Sequence, residues 1–125
     1  MVATLSKPFY QAAIMAAESL KDEVPDAKVA VFTHEEWLRE EDKHLFDHIE
    51  TPVPVHCRTK LWALPRTPYD QTIYLDVDVH VLSNEIEEVF DHLGNHDVVM
   101  SENRPYNAKV VYFSHDDQVG PGIPG

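Results

Sequence analysis

Apolar and polar positions along this chain switch between a helical repeat of about 3.6 residues and a strand repeat of about two, and the switches outline its elements. Val2 to Leu5 is a short apolar segment of strand character, followed by Ser6 where a helix N-cap belongs. Pro8 suits a first helical turn, whose N–H groups have no partner within the helix. Phe9, Ala13, Ala16 and Leu20 then recur at helical spacing, predicting an amphipathic helix that Val24-Pro25-Asp26 ends. Lys28 to Phe32 reads as a compact buried strand. Thr33, with Glu36 three residues later, has the form of a capping box and predicts a charged helix with Leu38, Leu45 and Ile49 along one face. Thr51 to Val55 carries two prolines, which restrict it to an edge strand or connector. Thr59 to Leu64 forms a short helix closed by Pro65, and Arg66 to Asp70 is turn material. The most strand-like run, Thr72-Ile73-Tyr74-Leu75, leads into Asp76 and Asp78. Asn84 caps a further helix with Ile86, Val89, Phe90 and Leu93 on one face and Gly94 as its stop. Asp97 to Met100 is a strand, Asn103 to Asn107 a loop and Lys109 to Phe113 a last strand.

Strands alternating with helices predict an α/β protein, a Rossmann-like α/β/α sandwich with a mostly parallel central sheet. The length, 125 residues, suits one domain, placed at 1–115, with 116–125 as a flexible tail rich in Gly and Pro. Charge narrows the partners. Ten Lys and Arg against 22 Asp and Glu give a formal charge of −12, which argues against nucleic acid and anionic membrane surfaces. A small anionic ligand is compatible only where a cation or local dipoles invert the field. The single Cys57 excludes an intrachain disulfide, and the N-terminus lacks signal-peptide character, so a cytoplasmic protein without membrane insertion is expected.

The candidate chemistry centres on Asp76 and Asp78. On an extended chain, side chains two residues apart share a face about 6.6 Å apart. Two carboxylates so placed at the mouth of a strand suit a hard cation, Mn²⁺ or Mg²⁺, and that cation suits a diphosphate. In parallel α/β sheets ligands bind beyond the carboxyl ends of strands. The plainer reading is that both aspartates end a strand and solvate a turn. His44 and His48, four apart on the expected helix with Asp47 nearby, could ligate Zn²⁺ or Ni²⁺ but lack a third ligand placed by sequence, and solvated histidines explain them more simply. His80 lies two residues beyond Asp78. Cys57 and the serines lack any nucleophile motif.

Taken in order, Lys60-Leu61-Trp62-Ala63-Leu64, Thr67-Pro68-Tyr69-Asp70 and Ile73-Tyr74-Leu75-Asp76-Val77-Asp78 resemble the core of the GT-A nucleotide-sugar glycosyltransferases of Asp-x-Asp type. Tyr10 with its alanine-rich helix and Glu18-Ser19-Leu20, then the strand Val29 to Phe32 ending at Thr33, extend the resemblance over roughly Val2 to Phe113. It implies a UDP-sugar donor, UDP-glucose first, and Mn²⁺ or Mg²⁺ held directly by Asp78, with Asp76 on the ribose or supporting the metal. Thr4, Leu5 and Tyr10 would neighbour the nucleoside, as would Thr33 or His34, and Lys60 would reach the donor. The family continues into an acceptor-binding segment, often with a histidine metal ligand, so a minimal or C-terminally truncated form is implied. Lys109 stands at the family's usual glycine, and His115, Asp116 and Asp117 are the residues left to complete a metal shell. The acceptor is unspecified, and water in its place would give slow donor hydrolysis. The rival reading is a non-catalytic nucleotide-sugar or metal-binding module, completed by a partner subunit or a second copy as a homo-oligomer.

Overall fold

The computed structural model describes residues 1–100 and the backbone of a strand at 110–114. The expected tail at 116–125, the loop Asn103 to Asn107 and the candidate ligands His115, Asp116 and Asp117 fall outside the described residues. The chain is mixed α/β. In order it forms α1 (Lys7–Glu23), β1 (Ala30–Phe32), β2 (His48–Glu50), α2 (Thr59–Ala63), β3 (Gln71–Leu75), β4 (Val98–Met100) and β5 (Val110–Ser114). Turns of 3₁₀ helix at Glu35–Trp37, Glu40–Leu45, Leu64–Arg66 and Asn84–His92 connect them.

The expected first helix forms, with Ser6 at its N-cap and Pro8 in its first turn. Its buried face is turned from the one expected. Tyr10, Ala13, Ile14 and Ala17 pack inward, whereas Phe9 is 45% exposed. The small alanines let the helix approach β1 closely, and Val29 and Val31 pack against them with Leu45 and Phe46. The alternate residues, Ala30 and Phe32, point to the other side, onto Val53 and Ala63 of α2. β1 is therefore covered on both faces, which is why its sequence reads as an unbroken apolar run.

β1 pairs in parallel with β2, and Val2 bridges Phe32 in parallel on the opposite edge. Ala3 N–H donates to the Phe32 carbonyl at 2.9 Å, and Phe32 N–H donates to that of Met1 at 3.0 Å. The expectation of a mostly parallel sheet fails beyond this point. β3, β5 and β4 form a separate sheet in that order, with β5 antiparallel to both neighbours. β5 returns between the two strands that precede it, so β3 and β4 run in the same direction and a long crossover must join them. That crossover begins with Asp76.

The charged helix expected after Thr33 does not form. Thr33 is fully buried at the end of β1, its N–H donates to the Glu50 carbonyl at 3.1 Å, and its hydroxyl accepts no helix N–H among the described residues, so it caps no helix. The chain must instead return to lay His48–Glu50 beside β1, and this pairing overrides the local capping pattern. Asp47 sets the return: its carboxylate accepts from Val29 N–H at 2.8 Å and from Lys21 Nζ at 3.1 Å. Consequently His44 and His48 share no helix face. His44 Nδ1 lies 2.8 Å from the Glu41 carbonyl and His48 Nε2 lies 3.0 Å from Glu50 in β2. After β3 the cap is Ser83, whose hydroxyl accepts from Glu85 N–H, rather than Asn84. Gly94 ends that segment with φ at +47°, a conformation that favours glycine.

Candidate functional site

Two cavities adjoin the first strand segment. The larger, about 340 Å³, is walled mainly by apolar side chains such as Leu20, Val24, Ile73, Ile86 and Phe90. The smaller, about 280 Å³, gathers ionisable groups, Asp76 and Asp78 after β3 and Lys60 of α2, beside Thr4 and Leu5 after the first strand segment. Chemistry needs convergent polar groups, so the smaller cleft is the candidate site.

The aspartates reach it by a different route from the one expected. β3 stops at Leu75, and the Asp76 carbonyl accepts from Val79 N–H at 3.2 Å, closing a turn. Aspartate favours the first position of such turns. The two side chains are thus set by turn geometry, not by strand alternation, and both still line the cleft. The crossover beyond them is fixed from below: Val81 N–H donates to Ser19 Oγ of α1 at 2.9 Å.

Tyr74 of β3 lines the same cleft. Burial, reinforced by the Asp76 charge, pushes its hydroxyl well above the ordinary tyrosine range. It therefore stays protonated, and Lys60 Nζ sits 5.8 Å from its ring centroid, within cation–π range. The segment carrying Lys60 is pinned by Thr59, whose buried hydroxyl lies 2.8 Å from the Pro54 carbonyl and 2.6 Å from that of His56.

Thr4 Oγ1 lies 2.7 Å from His34 Nε2 and 3.3 Å from the Pro54 carbonyl, joining the first strand segment to the same loop. His34 itself is buried and stacks edge-on with Trp37 at 4.6 Å. It supports Thr4 from behind and does not line the cleft, and neither does Thr33. Leu5 adopts φ +76°, the left-handed region, at a cost of about 1–2 kcal/mol for a residue with a Cβ. Strain of this kind is retained where surrounding structure demands it, commonly at functional sites.

Tyr10 is placed elsewhere. It is buried, with its hydroxyl donating to Asp42 Oδ2 at 2.9 Å, while Phe9 presents an exposed ring to the cleft. Sequence reasoning missed Phe9, His56 and Cys57, all of which line the site. No local signal marked Phe9, because the alanines at 13, 16 and 17 fit either Phe9 or Tyr10 on the buried side of the helix.

Among the described residues no three His, Cys, Asp or Glu side chains form a metal-binding group. Two carboxylates nevertheless fit Mg²⁺ or Mn²⁺, which are commonly held by one or two carboxylates while substrate phosphate and water fill the remaining positions. No helix among the described residues is long and apolar enough to cross a membrane. Compared with family models, curated proteins and solved structures, the chain matches none.

Proposed function

We propose that the cleft binds a UDP-sugar, with UDP-glucose the first choice, and that the chain is a metal-dependent glycosyltransferase built on a minimal GT-A-type fold. The observation that carries this reading is the convergence of Asp76, Asp78 and Lys60 in one cleft that also holds an exposed aromatic ring, Phe9. Asp76 and Asp78 would hold Mn²⁺ or Mg²⁺, and the bound cation would supply Lewis-acid stabilisation of the charge developing on the leaving diphosphate. Lys60 contributes a positive charge to the same oxygens. Phe9 offers a stacking face for the uracil. Thr4 and Leu5, at the end of the strand segment, border the ribose. Fixing the donor against these groups contributes orientation, which lowers the barrier without any proton donor. The resemblance over Lys60 to Asp78 supports the choice of donor class.

Titrating UDP calorimetrically with and without Mn²⁺ tests the binding step, with Asp78→Ala expected to abolish the Mn²⁺-dependent component. Equal UDP affinity in the variant and the parent rejects Asp78 as the metal ligand. The rival reading, a non-catalytic binding module, shares that binding. Incubation with UDP-glucose separates the two, because only an enzyme releases UDP.

A further inference from the structure

His56 stands just before α2 and lines the same cleft as Lys60, Asp76 and Asp78. Its ring orientation is defined by the backbone. Arg58 N–H lies 3.0 Å from His56 Nδ1, and a backbone amide can only donate. Nδ1 is therefore the unprotonated, accepting nitrogen, and the proton of the neutral ring is on Nε2. The residue's main chain is held as well, since its carbonyl accepts from the Thr59 hydroxyl at 2.6 Å and from Thr59 N–H at 3.2 Å. The result is a preorganised N–H donor on a cleft wall. While the Arg58 bond persists, neither ring nitrogen has a lone pair to offer a metal ion.

We propose that His56 is a diphosphate-binding residue, its Nε2–H donating to a phosphate oxygen of the nucleoside diphosphate beside Lys60. This rests on the reading of the cleft as a nucleotide-sugar site. In a chain of net charge −12, phosphate oxygens that do not face the cation require donors of this kind, and hydrogen bonds to charged oxygens are the strong ones.

The test compares UDP and uridine binding to the parent, His56→Ala and His56→Gln, each in Mn²⁺ and in metal-free buffer. His56 is exposed, so both variants should keep the parent's unfolding midpoint. Removing a donor to a charged acceptor is expected to weaken UDP binding by roughly tenfold to a hundredfold in His56→Ala. Gln keeps a terminal N–H donor, so His56→Gln should recover most of the loss. Uridine affinity, and Mn²⁺ binding without nucleotide followed by electron paramagnetic resonance, should be unchanged. Unaltered UDP affinity in His56→Ala overturns the proposal. An equal loss for uridine also overturns it, by placing the effect on the nucleoside, and a loss of Mn²⁺ alone does so by making His56 a metal ligand. Failure of the metal reading looks different: the parent would bind UDP equally with and without Mn²⁺, while His56→Ala still weakened it.

Discussion

Replacing Tyr10 by Phe removes a single oxygen atom and is expected to destabilise the fold without touching nucleotide binding. The hydroxyl is buried in a side chain only 1% exposed and donates to Asp42 Oδ2 at 2.9 Å, across 32 positions of sequence. Asp42 is 5% exposed and also accepts from Arg39 Nε at 2.8 Å and Nη2 at 3.2 Å. The bond ties α1 to the 3₁₀ turn Glu40–Leu45. A hydrogen bond to a charged acceptor contributes about 1.5–3 kcal/mol. Asp42 keeps Arg39 in the variant and is not stranded, so the lower half applies, about 2 kcal/mol. At roughly 4 °C per kcal/mol for a domain of this size, Tm falls by about 8 °C. Asp42→Ala costs more, about 3 kcal/mol, because it leaves the Tyr10 hydroxyl buried without an acceptor. A double-mutant cycle on the two positions should return a coupling of about 1–2 kcal/mol. The assay is urea unfolding followed by circular dichroism, with UDP titrations run in parallel. Phe9→Ala provides the opposite pattern: the ring is 45% exposed, so stability changes little. Loss of a base-stacking face should instead weaken UDP binding by about 1–3 kcal/mol. An unchanged urea midpoint for Tyr10→Phe, or a loss of UDP affinity in that variant, refutes the assignment of Tyr10 to the core.

Gly94→Ala should cost about 1 kcal/mol in urea unfolding: φ is +47°, and no atom of the described residues crowds the added methyl, so backbone strain sets the penalty. Acid should weaken the fold through Asp42 and Asp47, both held below the usual carboxyl range. Arg39 and then the Tyr10 hydroxyl do this for Asp42 against its burial; at Asp47 burial is outweighed by Val29 N–H and Lys21. Folded values below the unfolded value of about 3.9 mean stability present above that pH and lost as pH falls through the native range. Asp47→Asn should flatten this slope, and an identical slope in the variant removes Asp47 from the explanation. At the alkaline end, burial and the Asp42 hydrogen bond push Tyr10 up to about 12, and burial with the Asp76 charge pushes Tyr74 up as well. Stability present below about pH 10 should therefore decline as pH rises towards and through 12. Absorbance at the phenolate band should show these two of the five tyrosines ionising at higher pH in the folded chain than in the urea-unfolded one.

Elements set by local pattern were legible in the chain itself. The span of α1, the apolar strand at Val29 to Phe32, the short helix from Thr59 and the strand before Asp76 all follow from periodicity and from Pro and Gly punctuation. The same holds for the prominence of Asp76, Asp78 and Lys60, since carboxylates and a lysine gathered around a strand end stand out without coordinates. The pattern at Thr33 and Glu36 was equally clear and still gave the wrong element, because pairing with β1 claimed both Thr33 N–H and the Glu50 carbonyl.

Tertiary structure alone decided which side of each element meets the cleft. One residue along a helix is a rotation of about 100°, so the same stripe of alanines is compatible with Phe9 or Tyr10 facing inward until Asp42 arrives to receive the Tyr10 hydroxyl. The insertion of β5 between β3 and β4 and the meeting of His56 and Lys60 with Asp76 and Asp78 in one cleft depend likewise on segments distant in sequence. Short-range dihedral preferences act over a few residues and can specify an element. Strand order and buried faces are specified by partners tens of residues away, whose positions no local pattern encodes.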